Sequence, residues 1–199
     1  RGEDATALST AITEAVHSIR PGLTTKTVLD AIDLGNHDAS TSRYWTLDPV
    51  DGTKGFLRNG QYAVSLSLIE NGEVILGVLG CANLSADFDR AFDDPDEIGS
   101  IFYAAQGGGA WTLAANNVAG EPQAVTAASE ISMDALRVCE SVEAAHSKQD
   151  DTSRILTHLK AQSHPARLDS QCKYAVVGRG QADAYLRLPT SASYVEKIW

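Results

Sequence analysis

The stretch Leu47-Asp48-Pro49-Val50-Asp51-Gly52-Thr53-Lys54-Gly55-Phe56 decides the reading of this chain. An aromatic run, Tyr44-Trp45-Thr46, leads into it, and Gly-Thr-Lys-Gly follows two carboxylates set three residues apart. Tyr44 to Leu47 read as a strand lying in a core, so Asp48 and Asp51 at its end cannot be deeply buried as bare anions without a counter-charge. A hard divalent cation answers that need: Mg²⁺ takes oxygen ligands, commonly one or two carboxylates plus waters and substrate phosphate. Pro49 fixes the backbone between the acids and donates no N–H, so a turn there can present both carboxylates and the Val50 carbonyl to one site. Gly52 permits an unusual dihedral or the close approach of a ligand. Thr53 can cap a following helical turn whose free N–H groups would face an anion. The competing reading makes Asp48 and Asp51 plain turn and cap residues, since Asp-Pro and Asp-Gly both favour turns. Spacing alone does not separate the two.

Outward from this stretch, helical and strand patterns interleave. Thr6 to Ile19 place Leu8, Ile12, Ala15 and Ile19 at helical spacing, and Thr25 to Gly35 form a second, shorter helical pattern. The run from Tyr62 to Cys81 is two apolar strands flanking Asn71-Gly72, the strongest short hairpin signal. Ser100 to Leu113 repeat the pattern around Gly107 to Gly109. The acidic stretch Ser85 to Gly99 reads as a solvated loop, because it lacks the spacing of a calcium loop. Ala114 to Gln123, poor in large apolar residues, is the expected boundary between a metal-bearing part, 1–120, and a substrate-recognition part, 121–199. Beyond it the pattern predicts a strand at Ala135–Val142, a helix opening at Asp150 or Asp151 as N-cap, a helical stretch at Ser170–Gly180 and a strand at Ala182–Leu188. The fold class is therefore α/β.

Composition bounds the function. The chain has 199 residues, 43% of them hydrophobic, enough for one large core or two modest ones. A net charge of −10 argues against nucleic acid as a partner, and an anionic substrate would need placed cations or a metal. Three scattered cysteines, Cys81, Cys139 and Cys172, imply neither a disulfide framework nor a zinc site, which makes a reduced, cytoplasmic setting the expectation. No apolar run reaches membrane-spanning length, so no membrane partner is expected, and a monomer is the default.

Leu47 to Phe56 resemble the signature of the lithium-sensitive, metal-dependent phosphatase superfamily that contains inositol monophosphatases and fructose-1,6-bisphosphatases. Lys54-Gly55-Phe56, the run Leu168 to Pro189 and the terminal Tyr194 to Trp199 are similar to its bisphosphate-nucleotidase branch, especially the fungal members, and the likeness covers nearly the whole chain. The resemblance implies the layered α/β sandwich of that superfamily, with Mg²⁺ as cofactor and an active site between the two parts. Gly2-Glu3-Asp4 matches a family motif that makes Glu3 a metal ligand, alongside Asp48, Asp51 and the Val50 carbonyl. Thr53 matches the residue that, with an acid, orients the attacking water and touches the scissile phosphate; His146, Ser170, Lys173 and Arg187 match substrate-binding positions. Lys173 and Arg187 would offset phosphate charge in an acidic protein. Alone, each has a plainer reading: a surface histidine, a solvated lysine, an arginine paired with Asp183.

The implied reaction is metal-assisted hydrolysis of adenosine 3′,5′-bisphosphate to AMP, with 3′-phosphoadenylyl sulfate as a second substrate. An inositol phosphate phosphatase, or a non-catalytic remnant that binds nucleotide or metal, is the alternative. The family's upstream acid and the Asp that follows the residues matching Lys197 to Trp199 lie outside this sequence, so the chain reads as truncated at both ends and is expected by itself to turn over little substrate.

Overall fold

The structure, a computed structural model, describes residues 2–92, 94–143, 149–189, 191 and 193, with side chains from Asp4 onward. Two compact units divide between Thr41 and Ser42. In the first, helix α1 (Gly2–His17) and helix α2 (Thr25–Asp33) pack on each other. Both helical patterns of the sequence are present, and Thr24 caps α2 by accepting a hydrogen bond from the Thr27 N–H at 3.1 Å.

Among the described residues, the second unit is built on an antiparallel meander of six strands in sequential order: β1 (Arg43–Asp51), β2 (Ala63–Glu70), β3 (Glu73–Cys81), β4 (Ser100–Ala105), β5 (Ala110–Ala114) and β6 (Gln123–Val125). Short helix α3 (Thr53–Leu57) connects β1 to β2. The β2–β3 hairpin turns on Asn71 and Gly72 at φ of 53° and 86°, the paired left-handed residues of the expected two-residue loop. A separate parallel sheet follows, ordered β8 (Ala166–Leu168), β7 (Val138–Ser141), β9 (Ala184–Tyr185), with helices α4 (Gln149–Leu159) and α5 (Cys172–Gly178) in its connections. The expected α/β class holds. The six-stranded sheet runs through the Ala114–Gln123 stretch to β6, and the change of sheet falls between Val125 and Val138.

One core joins α5 to both sheets: Ala63, Cys81, Leu84 and Phe102 meet Cys139, Leu168, Cys172, Ala175 and Val176. A smaller cluster of Leu136, Val138 and Leu156 seats α4 on β7. All three cysteines are buried free thiols.

Several local expectations are corrected. Strand β1 is not in the core but, among the described residues, at the edge of the sheet, paired only with β2, and alternate residues face opposite sides. Tyr44 and Thr46 are half-buried, whereas Trp45 and Leu47 are 53% and 55% exposed. Helix α4 opens at Gln149, which puts Asp150 and Asp151 in its first turn rather than at its cap. The strand read over Ala182–Leu188 shrinks to Ala184–Tyr185, which pair with Val138 and Cys139 of β7.

Candidate active site

The acids of β1 reach one site through an irregularity in the strand. Asp48 pairs with Ser65 and Asp51 with Ala63, so three steps along β1 match two along β2. Residues three apart on a regular strand point to opposite faces, but Ser65 and Ala63 share a face, and the extra residue at Pro49–Val50 therefore brings both carboxylates to the same side. Pro49, with no N–H for the ladder, is a residue that a bulge accommodates at an edge strand.

After the bulge the chain reverses sharply. Gly52 is left-handed, with φ 80° and ψ 42°, and occupies the N-cap position of α3. Thr53 consequently does not cap the helix as expected; it is the first helical residue, and its hydroxyl donates to the Val50 carbonyl at 3.1 Å. The close approach that Gly52 permits is to protein: a Cβ there would lie 2.7 Å from Ser170 Cβ. Gly55 serves the same purpose one turn later, since a Cβ on it would lie 2.2 Å from the Gln61 carbonyl oxygen and 2.7 Å from Asp169 Cβ. Two glycines thus let the loop from β8 to α5 lie directly on the bulge and on α3.

That loop is held by the site's own charges. Asp51 Oδ2 accepts the Gln171 N–H at 2.5 Å. Ser170 adopts a left-handed backbone, φ 62°, and its hydroxyl accepts the Cys172 N–H at 3.2 Å. Lys173 is 3% exposed, not solvated, and its ammonium donates to the Leu168 and Ser170 carbonyls at 2.9 and 2.6 Å while lying 5.1 Å from the centre of the Tyr185 ring. Burial pushes the Lys173 ammonium down to about 8, with Asp51 acting against the shift. Burial likewise raises Asp51 above the usual carboxylate range, and Asp48 adds to the rise; the Gln171 N–H and the charges of Lys173 and Arg187 oppose it.

A cavity of about 340 Å³ collects Asp48, Val50, Asp51, Thr53, Ser170, Lys173 and Arg187 along its walls. Seven of the nine residues expected from sequence therefore come together. The Glu3 side chain and His146 lie outside the described residues. Arg187 does not pair with Asp183, which instead takes the guanidinium of Arg137. Asp48, Asp51 and the Val50 carbonyl form an all-oxygen donor set of the kind hard cations take. Among the described residues no third acid or imidazole completes a metal-binding cluster.

Sequence reasoning missed the rim. Lys54 pairs with Glu143 at 2.7 Å, Arg58 pairs with the same carboxylate at 2.6 Å, and Arg58 also grips both oxygens of Asp169 at 3.0 and 2.9 Å. Lys54 and Arg58 pull the Glu143 carboxyl down to about 2. These partners lie 85 to 111 residues apart in sequence, a separation that no periodicity encodes. The only local signal was Gly55, whose missing side chain marks where another segment must approach.

Comparison with known proteins places this geometry. The chain is 42% identical over 173 residues to a 3′(2′),5′-bisphosphate nucleotidase of Schizosaccharomyces pombe, covering 86% of this chain and 48% of the relative. It is 42% identical over 182 residues to 3′(2′),5′-bisphosphate nucleotidase 1 of Arabidopsis thaliana, covering 89% and 51%. The chain thus spans about half the length of the curated relatives it matches. Among solved structures, an inositol monophosphatase from Anabaena has the same fold at 18% identity, with a TM-score of 0.55 over 90% of this chain and 69% of that one. Mycobacterium tuberculosis SuhB does so with a TM-score of 0.53, at 18% identity over 92% and 71%. The model of the inositol monophosphatase family matches residues 5–199. On that match, and on the fold it shares with solved members, this chain belongs to the inositol monophosphatase family.

Proposed function

We propose that the protein is a Mg²⁺-dependent phosphomonoesterase that removes the 3′-phosphate of adenosine 3′,5′-bisphosphate to give AMP. The observation that supports it most is the bulge at Pro49–Val50, which sets two carboxylates on one side of β1 in a cavity whose lining also holds Thr53, Lys173 and Arg187. The relatives named as 3′(2′),5′-bisphosphate nucleotidases support the choice of substrate.

In this reading Asp48, Asp51 and the Val50 carbonyl hold the cation, with Glu3 as a further ligand. Bound Mg²⁺ would supply charge neutralisation for the phosphoryl oxygens and a more acidic water. Asp51 has one oxygen occupied by the Gln171 N–H, so Oδ1 is the atom it offers. The Thr53 hydroxyl donates a hydrogen bond to the Val50 carbonyl, which leaves its oxygen lone pairs to accept from the attacking water and so orient it. Two of the three Lys173 N–H groups are committed to carbonyls, and the third, with the Arg187 guanidinium, serves the phosphate. Ser170 and His146 complete the substrate contacts. We further propose a small-molecule nucleotide as the one partner, without nucleic acid or membrane, and a cytoplasmic monomer. The net charge of −10 supports the first, and among the described residues no helix is long and apolar enough to cross a membrane.

The test is phosphate release by the full-length protein from adenosine 3′,5′-bisphosphate and from inositol 1-phosphate, each with and without Mg²⁺. Mg²⁺-dependent release with preference for the nucleotide is expected. Preference for the inositol phosphate would overturn the substrate, and nucleotide binding without any release would make the protein a binding remnant.

A further inference from the structure

Arg58 follows the last residue of α3, and its guanidinium ties that helix to two segments remote in sequence. Nη1 donates to Glu143 at 2.6 Å, and Nη2 donates to both oxygens of Asp169 at 3.0 and 2.9 Å. The described residues that line the cavity include Asp169 and Glu143 but not Arg58. Glu143 also has Lys54 as a partner, so the contact that belongs to Arg58 alone among these cations is the one to Asp169.

Asp169 is seated as well as gripped. Its side chain is 12% exposed, and a Cβ on Gly55 would stand 2.9 Å from its Cγ, and one on Gly60 3.6 Å from its Oδ2. The carboxylate therefore lies against the turn that the Gly60 N–H closes on the Gly55 carbonyl at 2.8 Å. Asp169 directly precedes Ser170, whose backbone is left-handed, and Gln171, whose N–H goes to Asp51 Oδ2 at 2.5 Å. The chain is thus pinned on both sides of Ser170, at Asp169 by Arg58 and at Gln171 by Asp51. Lys173 donates to the carbonyls of Leu168 and Ser170, the two neighbours of Asp169. Releasing Asp169 frees one of the two pins, and the carbonyls that aim the Lys173 ammonium move with it.

We propose that Arg58 is a positioning residue: by gripping Asp169 it fixes the loop that carries Ser170 and Lys173, without itself touching the substrate. This rests on the reading of the cavity as a phosphomonoesterase site. A planar guanidinium suits the task, because its two terminal nitrogens reach two carboxylates at once, whereas an ammonium is a single point.

Two readouts on the full-length protein with Mg²⁺ test it, one independent of turnover. The first is amide hydrogen exchange. In Arg58→Met the Gln171 N–H should exchange about tenfold faster, the low end for loss of a charge-assisted contact because the arginine is half exposed, while the amides of β2 and β3 keep their wild-type rates. The second is kcat/KM for adenosine 3′,5′-bisphosphate. Arg58→Met should lower it about 10–100-fold, the scale of a small misplacement of binding groups. Asp169→Asn, which keeps the shape of the side chain, should lower it as much, and the double variant no further. Arg58→Lys should recover part of the loss. Arg43→Met, which breaks the 2.6 Å pair with Glu70 between β1 and β2, is the control and should leave activity unchanged. In a Lys173→Met background, Arg58→Met should have little further effect, because the lysine it positions is gone. General damage to the fold would instead multiply with the loss of Lys173, and that result overturns the positioning role. Wild-type exchange at Gln171 in Arg58→Met overturns it as well. A wild type that exchanges as expected but releases no phosphate overturns the reading of the cavity, and with it any part for Arg58 in catalysis, while leaving Arg58 as the anchor of the loop.

Discussion

Replacing Gly55 with alanine tests whether the site depends on close packing between two loops. The new Cβ would sit 2.2 Å from the Gln61 carbonyl oxygen, 2.7 Å from Asp169 Cβ and 2.9 Å from Asp169 Cγ. None of these atoms is the free end of a flexible side chain. Gln61 is 5% exposed and anchored through its amide to the Asn83 and Phe92 carbonyls, and Asp169 is clamped by Arg58. Overpacking of this kind costs about 1–3 kcal/mol, and contact with immobile backbone puts Gly55→Ala at the upper end, about 3 kcal/mol. Alanine recovers up to ~1 kcal/mol of backbone entropy in a helix, which leaves a net loss of about 2 kcal/mol. For a chain of 199 residues that is a fall in Tm of about 4–8 °C. Gly77→Ala is the control: it lies within β3, and a Cβ there meets nothing within 4 Å. Thermal and urea unfolding of both variants measure the difference. A Gly55→Ala protein as stable as Gly77→Ala, to within about 0.5 kcal/mol, would show that the loop is free to retreat and that the packing argument is wrong.

Three further outcomes are expected. Glu143, lowered from an ordinary 4.5 to about 2 by Lys54 and Arg58, contributes stability that is present above pH 4.5 and lost as pH falls towards 2. Urea midpoints should therefore fall more steeply over that range in wild type than in Glu143→Gln, and parallel curves would refute the pairing. Arg179 is 5% exposed, with its guanidinium donating to the Ser85 carbonyl at 2.6 Å and to Gln181 at 2.7 Å, and lying 5.0 Å from the centre of the Phe88 ring. Arg179→Met leaves those acceptors buried and unpaired and should cost about 2–3 kcal/mol in chemical denaturation; an unchanged midpoint would contradict it. Asp51→Asn retains an acceptor for the Gln171 N–H but removes the charge, so its stability should lie within about 1 kcal/mol of wild type while calorimetry detects no Mg²⁺-dependent nucleotide binding. Retained Mg²⁺ dependence would remove Asp51 from the ligand set.

Much of the fold was legible because it is written locally. Asn71-Gly72 supplies two left-handed residues to a hairpin, and the helical spacings of α1 and α2 needed no distant partner. The acids of the site were legible as chemistry, but not the way they converge. Asp48 and Asp51 share a face only because β2 sets a register that makes Pro49–Val50 a bulge, and register is a property of two strands. Thr53 lost the cap position to Gly52 because the tight approach of Ser170 demands a left-handed glycine there. Trp45 and Leu47 look like core residues by composition; the edge position of β1 decides otherwise. The ion pairs of Lys54 and Arg58 join segments whose proximity exists only after both sheets have formed.

Asp51 links the proposed cation site to the loop from β8 to α5 through one side chain. Burial favours its neutral form, while the Gln171 N–H, Lys173 and Arg187 all favour the carboxylate. A cation held at Oδ1 would add to that side of the balance, and the ionised carboxylate is the stronger acceptor for the Gln171 N–H at Oδ2. The loop so fixed carries Ser170, strained into a left-handed conformation, and runs directly into Lys173, whose ammonium closes back on the Leu168 and Ser170 carbonyls. If Asp51 holds a cation, as proposed, cation binding and loop order share a free-energy term and strengthen each other by the same factor, as linkage requires. Gly52 and Gly55 make that coupling possible, because any side chain at either position would hold the loop off the carboxylate that connects the two.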